Sequence, residues 1–215
     1  MNEGTQKRSY YPIFLNICQK KCVVVGGGEI ALRKVRTLLE RGAIVQTIAP
    51  TLCSGLSLLV DSKAISVLPR NYQPGDLKNT CIAIAATTET ETNKKVAMEA
   101  RRRGIPVNVV DDPEQSDFIV PACVQRGELT IAVSTAGKSP ALARKIRNRL
   151  EKDFGEEYAC LVTLIGETRS ELKEQGVAIS QSAWQDALDL ERLIEMVRTG
   201  QVKEAKAALL NRLKS

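Results

Sequence analysis

Three consecutive glycines stand where a strand pattern changes into a helix pattern. Lys21–Arg33 reads KCVVVGGGEIALR. Within it Gly26, Gly28 and Ala31 keep the G-x-G-x-x-A spacing of a dinucleotide-binding turn. The residue types suit that chemistry. Gly26 permits a turn that a side chain would strain. Gly28 lets a pyrophosphate approach the backbone, and Ala31 lets the helix pack close to the strand. The helix N-terminus offers free N–H groups and partial positive charge to phosphate oxygens. One usual partner is missing. The second strand, Ile44–Ala49, runs into Pro50-Thr51 instead of an acidic residue that would hold a ribose hydroxyl. Either backbone groups or the Thr51 hydroxyl take that role, or no dinucleotide binds. The competing reading is a glycine-rich turn in an unrelated α/β domain.

Composition narrows the rest of the chemistry. The chain has 215 residues and no histidine. This removes Ser-His and Cys-His nucleophile pairs and every histidine metal site. Acid–base work must fall to carboxylates, Lys, Tyr or Cys. The 6 cysteines include no C-x-x-C and read as reduced, mostly buried thiols of a cytoplasmic protein. The opening MNEGTQKRSYYP has no apolar segment after its charges, so no signal peptide is expected. No run approaches the ~18 apolar residues of a membrane span. Net charge is +6, divided as +9 over residues 1–150 and −3 over residues 151–215. A basic body suits an anionic partner, whether nucleic acid, membrane surface or acidic small molecule, or it simply solvates the surface. With aromatics at 4%, stacking platforms for single-stranded nucleic acid are few.

The elements that must position these residues follow from periodicity. Tyr11–Leu15 reads as an edge strand or a clasp on the sheet. Strands are expected over Lys21–Val25, Ile44–Ala49, Ala64–Leu68, Thr80–Ala86 and Pro106–Val110. Continuous apolar runs such as TCIAIAA mark strands buried on both faces, as in a parallel sheet between helix layers. Helices are expected over Glu29–Arg41 and Leu52–Asp61, and from a Thr90 or Thr92 cap to Arg103. The polar Thr87–Glu91 follows a strand, so it should line the crevice where such sheets bind ligands. The last parallel strand ends in Asp111-Asp112-Pro113. The pattern then changes. Phe118–Val124 and Glu128–Ser134 read as a hairpin joined by Gln125-Arg126-Gly127. Ser139-Pro140 starts a helix to Lys152 that carries Arg144, Lys145, Arg147 and Arg149. A hairpin and one helix are too small for a core of their own, which points to pairing of two copies. Helices over 157–174, 181–197 and 201–213 complete an acidic module with no catalytic pattern.

Six segments together resemble the precorrin-2 dehydrogenase/sirohydrochlorin ferrochelatase family, the stand-alone form of the N-terminal part of sirohaem synthases. They are YPIF at Tyr11–Phe14, VVVGGGEIALRK at Val23–Lys34, AIAATTETETN at Ala83–Asn93, VNVVD at Val107–Asp111, SDFIVP at Ser116–Pro121 and STAGKSPALAR at Ser134–Arg144. The resemblance covers roughly residues 10–150, and the missing acid after the second strand is usual in it. It implies an NAD-binding Rossmann domain over 1–113 and a homodimerisation region with an interlocked hairpin over 114–152. A helical module over 153–215 follows, and an anionic tetrapyrrole binds in a cleft. Carried over by motif, nucleotide contacts fall on Gly26, Gly28, Glu29, Ile30, Pro50, Thr51, Ala86 and Thr87. The functional aspartate is Asp111. Some members carry a modifiable serine where this chain has Thr135. No methyltransferase domain follows, so uroporphyrinogen methylation is not expected.

The residues suit the implied chemistry. Precorrin-2 carries eight carboxylates, and a basic cleft built from Arg126, Lys138, Arg144 and Lys145 would receive them; each of these is equally readable as plain surface charge. Oxidation to sirohydrochlorin sends a hydride to NAD⁺ and a proton to a base. Without histidine, a carboxylate at the carboxyl edge of the sheet is the natural base, and Asp111 sits there. Its alternative use is an Asx turn leading into Asp112-Pro113. Fe²⁺ would be a substrate without fixed protein ligands, and whether chelation accompanies oxidation stays open. No Arg directly follows the second strand to receive a 2′-phosphate, which favours NAD over NADP. Two other readings remain: a non-catalytic Rossmann nucleotide sensor that regulates a partner, and a dehydrogenase of a smaller substrate.

Overall fold

The computed structural model describes residues 9–214. The opening residues read as lacking a signal peptide fall, up to Arg8, outside the described residues. Two compact units divide the chain, one ending at Val120 and the other starting at Pro121.

The first unit is a five-stranded parallel sheet: β1 Lys21–Val25, β2 Ile44–Ile48, β3 Ser66–Leu68, β4 Ile82–Ala85 and β5 Val107–Val109, in the order β3-β2-β1-β4-β5. Val24 pairs with Thr47 on one side and Ile84 on the other. Helices α1 Glu29–Glu40, α2 Ser54–Asp61 and α3 Thr90–Arg102 form the crossovers. Both faces of the sheet are buried, which is why its strands read as unbroken apolar runs. On one face Cys22, Val24 and Ile84 pack with Val35, Leu38 and Leu56. On the other, Val23, Val25 and Ala85 pack with Val96, Ala97 and Ala100.

Where a full doubly wound sheet has a sixth strand beside the fifth, this chain has the segment after β5. Asp117 N–H donates to the Val107 carbonyl (2.8 Å) and Asp117 Oδ2 accepts from Val107 N–H (3.1 Å). Asn108 Nδ2 donates to the Phe118 carbonyl (3.0 Å). Ser116, itself buried, accepts from Val109 N–H through Oγ (2.9 Å) and returns a bond to the Val109 carbonyl (3.1 Å). These bonds fill the outer edge of β5 without a strand. A second anchor is Glu99 on α3, 5% exposed. It accepts from the Tyr72 hydroxyl, from Gly75 N–H (2.9 Å) and from Arg103 Nε (2.6 Å). Burial alone would raise its carboxyl pKa, but these donors hold it below the usual range.

The second unit opens with a hairpin, β6 Ala122–Arg126 and β7 Leu129–Val133, followed by α4 Pro140–Asp153. As expected, Ser139 caps α4, its Oγ accepting from Leu142 N–H (3.2 Å), and Pro140 takes the first helical position. Helices α5 Glu157–Glu174, α6 Gln181–Ala187, α7 Leu190–Arg198 and α8 Val202–Lys214 gather Leu161, Leu164, Ile194 and Leu209 into their own core.

Four local expectations are corrected. Tyr11–Leu15 forms no strand; Tyr11 and Phe14 are 86% and 76% exposed. Phe118 does not begin the hairpin but packs against the core of the first unit, and the turn is Gly127-Glu128. Neither Thr90 nor Thr92 caps α3; Glu89 is its N-cap residue and makes no side-chain cap bond. Of the cysteines only Cys22 is fully buried, its thiol pushed up to about 11 by burial and then by Cys81. Cys18 precedes the sheet and Cys123 faces outward on the hairpin, and both are exposed.

Candidate nucleotide and catalytic site

The glycine turn is built by close approach. Gly26 N–H donates to the Ile48 carbonyl (2.9 Å), and Cys53 N–H donates to the Gly27 carbonyl (2.7 Å). A Cβ on Gly26, which stands at φ +135°, would collide with the Ala86 carbonyl oxygen. One on Gly27 would collide with that of Thr51. Two of the three glycines are therefore demanded by the fold. Gly28 is different. Its φ is −92°, ordinary for any residue, and a Cβ there would meet nothing within 4 Å. It is the N-cap residue of α1 and makes no side-chain cap bond. The open space at Gly28, before unpaired N–H groups at a helix start, fits a phosphate-bearing nucleotide. Ala31 is fully buried against the sheet, as its place in the motif requires.

A cavity of about 420 Å³ opens at the carboxyl ends of β4 and β5. Ile30, Ala86, Thr87, Asn93, Lys94 and Asp111 are among its lining residues. It thus brings together four of the sequence-selected residues: Ile30, Ala86, Thr87 and Asp111. Gly26, Gly28 and Glu29 lead directly into Ile30. Pro50 and Thr51 are exposed beyond the end of β2, next to the glycine turn through the Thr51 carbonyl.

The two adjacent aspartates are used differently. Asp112 Oδ1 accepts from Gln115 N–H (3.1 Å), capping a single 3₁₀ turn, Pro113–Gln115. The Asp112 carbonyl accepts from Ser116 Oγ (2.8 Å). So the local turn-making role belongs to Asp112. Asp111 stands at the apex at φ +60° and is exposed; among the described residues its carboxylate has no hydrogen-bond or ion-pair partner. A left-handed backbone is uncommon outside glycine, and Asp is one of the residues that tolerates it. Lys34, one helical turn beyond Ile30, is electrostatically coupled to Asp111. Burial lowers the Lys34 pKa, Arg33 lowers it further, and Asp111 acts in the opposite sense.

The sequence-selected basic residues lie in the second unit. Arg126 is engaged at the end of α4. Its Nε donates to the Phe154 carbonyl (2.9 Å), one Nη to the Glu151 carbonyl (3.0 Å), and the guanidinium pairs with Glu156 (3.3 Å). Lys138, Arg144 and Lys145 are exposed on and before the first turns of α4. The Thr135 hydroxyl accepts from Ser139 N–H (3.0 Å).

Three structural contributors were not singled out from sequence: Ser116, Lys34 and Asn93. Asn93 is 9% exposed and bonds three times to Thr87. Its sequence signals were its place at the end of the AIAATTETETN segment and a lone amide inside a helical run of Thr and Glu. Among the described residues no group of three His, Cys, Asp or Glu side chains could hold a metal ion. Among them, too, no helix is long and apolar enough to cross a membrane.

Comparisons with known proteins agree with this fold. A family model described as NAD(P)-binding matches residues 13–122, and one described as the central segment of sirohaem biosynthesis proteins matches residues 126–153. The siroheme synthase of Vesicomyosocius okutanii is 39% identical over 203 residues, 94% of this chain and 43% of that protein. The siroheme synthase of Nitrosomonas europaea is 42% identical over 167 residues, 77% of this chain and 35% of that protein. The chain thus spans less than half the length of the curated relatives it matches. The solved structure of SirC, precorrin-2 dehydrogenase, superposes with a TM-score of 0.69 at 24% identity, covering 95% of this chain and 99% of that one; it has the same fold. The chain belongs to the NAD(P)-binding family, here continued by a sirohaem-biosynthesis central segment.

Proposed function

We propose that the chain oxidises precorrin-2 to sirohydrochlorin with NAD⁺, in sirohaem synthesis. The observation that carries this reading is open space at Gly28, two residues before the cavity-lining Ile30, together with an Asp111 carboxylate in the same cavity that no hydrogen bond or ion pair engages among the described residues. Likeness to siroheme synthases over 94% of the chain supports the substrate class.

Bound NAD⁺ supplies the hydride acceptor. The chain's own residues do the rest. Gly26–Gly28 and the start of α1 receive the pyrophosphate, while Glu29, Ile30, Pro50, Thr51, Ala86 and Thr87 frame the nucleosides. One C–H bond of the substrate leaves as hydride, and the proton lost from the macrocycle goes to the Asp111 carboxylate. Lys138, Arg144 and Lys145 offer exposed cations to the substrate carboxylates. Arg126 does so less readily, because its guanidinium already serves α4. The absence of an Arg directly after β2 favours NAD⁺ over NADP⁺. Where Fe²⁺ is inserted, it enters as substrate, and the two displaced protons leave one at a time through the Asp111 carboxylate to the solvent it faces.

The working unit is a homodimer in the cytoplasm, with 1–113 binding nucleotide, 114–152 pairing two copies and 153–215 forming the helical module. The exposed Leu142 (50%) and Ile146 (39%) on α4 support the pairing. One assay tests the whole reading: precorrin-2 absorbance followed with NAD⁺, then with Fe²⁺ or Co²⁺ added. Conversion to sirohydrochlorin is expected. NAD⁺ binding without turnover or tetrapyrrole binding would favour a nucleotide sensor instead.

A further inference from the structure

The wall facing the glycine turn is held from outside the sheet. Ala86 N–H donates to the Val25 carbonyl (2.7 Å), and the Ala86 carbonyl lies so close to Gly26 that a Cβ there has no room. The next residue, Thr87, is gripped by one side chain. Thr87 N–H donates to Asn93 Oδ1 (3.3 Å), and the Thr87 hydroxyl donates to the same oxygen (2.8 Å). Asn93 Nδ2 donates to the Thr87 carbonyl (3.0 Å). Backbone donor and backbone acceptor of one residue are thus fixed by a single amide, six residues further on and inside α3, while the hydroxyl is also bonded to the Glu89 backbone.

Ordinary helix capping does not explain this. The N-cap residue of α3 is Glu89, and Asn93 lies beyond it in the helix proper. Asn is a weak helix former there, because its amide competes for backbone groups. Nor is Asn93 a core residue: it is nine-tenths buried yet lines the cavity, and it belongs to neither apolar cluster of the sheet. Its amide has both a donor and an acceptor, which is what gripping N–H and C=O of one peptide residue requires.

We propose that Asn93 is a positioning residue for nucleotide binding: its amide sets the Ala86–Thr87 wall against the glycine turn and so fixes the width of the cleft. The assignment rests on the nucleotide reading given above. It identifies the ligand whose affinity Asn93 controls as the dinucleotide, not the tetrapyrrole.

Two variants test it, Asn93→Ala and Asn93→Asp. Asp keeps an oxygen for both Thr87 donors but sets a carboxylate oxygen against the Thr87 carbonyl. NAD⁺ dissociation constants are measured by titration without tetrapyrrole, beside thermal melts. Both variants should weaken NAD⁺ about tenfold or more, the scale of one lost hydrogen bond. At saturating NAD⁺, kcat and the tetrapyrrole KM should be unchanged. A purely structural Asn93 would lower the melting temperature while leaving NAD⁺ affinity intact well below it, and that result overturns the assignment. Failure of both variants to fold overturns it equally, since Asn93 would then serve the fold. If the unaltered chain itself binds no NAD⁺, the nucleotide reading falls and takes the assignment with it. If the unaltered chain binds and the folded variants bind equally, only the Asn93 assignment falls.

Discussion

At the carboxyl end of the five-stranded sheet, each wall is tied to another part of the same chain. The glycine turn abuts Ala86, Asn93 grips Thr87, and Ser116 ties both ends of the loop that carries Asp111. The hairpin and α4 are built otherwise. Val124 and Ala143 are their only buried residues, and Leu142 and Ile146 stay exposed one turn apart on α4. The carboxyl end of the sheet is tied internally, whereas α4 leaves Leu142 and Ile146 exposed, the surface on which the proposed pairing of two copies rests. Residue spacing alone does not separate the two cases, because an apolar stripe looks the same whether its cover is in cis or in trans.

Several substitutions would break or sharpen that contrast. Asp111→Asn should lower precorrin-2 oxidation roughly 10²-fold or more, the usual scale for a general base, while NAD⁺ binding persists. Asp112→Asn keeps a capping oxygen and should change turnover far less; steady-state rates of the two variants decide. Reversal of the two effects would make Asp112 the base.

Next in size is the glycine pair. Gly28→Val should abolish measurable NAD⁺ binding with only a small drop in melting temperature, since its Cβ meets open space and Val is merely a poorer N-cap residue than Gly. Gly26→Ala should instead lower the melting temperature, because its Cβ has no room. Titration and calorimetry on both variants separate a ligand's glycine from the fold's glycine.

Glu99→Gln probes the self-contained region at the far end of α3. The Glu99 carboxyl sits below its ordinary value of 4.5. Its stabilisation is therefore fully present above that pH and lost as the pH falls through the folded value. The variant should be less stable by about 1–3 kcal/mol at pH 7, the cost of weakening a buried hydrogen-bonded charge, with the gap closing at acid pH. Urea unfolding at the two extremes measures this.

Smallest in any nucleotide readout is Leu142→Glu with Ile146→Glu. The parent chain should sediment as a dimer and this variant as a monomer, with NAD⁺ affinity kept. A parent chain found as a stable 23.5 kDa monomer at micromolar concentration would remove the dimer from the reading.

The sheet was legible because strands buried on both faces leave continuous apolar runs, as VVV and IAIA do. The glycine turn was legible because spacing and function coincide there. Phe118 was misplaced for a physical reason. Its apolar neighbours look like a strand, yet the bonds that seat it come from Asp117 and Asn108, and such polar ties leave no periodicity. Tyr11–Leu15 has strand-forming residues and no neighbouring strand to pair with, so propensity alone misled. Asn93 stayed hidden because its partner lies six residues back, outside any helical repeat. Asp111 was selected by its place at the end of the VNVVD segment, and the structure adds that the capping bond falls on its neighbour Asp112.

The segment that runs along β5 has a consequence for how the chain behaves among copies of itself. A bare strand edge is a template onto which any extended peptide can add, and proteins that leave one open tend to stick together. Here Ser116, Asp117 and Phe118 mask that template, and they lie within about ten residues of the strand they cover. Loop closure over so short a stretch is quick, so the rim is sealed as soon as β5 has docked. A chain emerging from synthesis, or one whose second unit has come undone, still shows no adhesive rim on that side. Whatever follows Val120 can fold late, or be exchanged for another sequence, without uncovering the β5 edge.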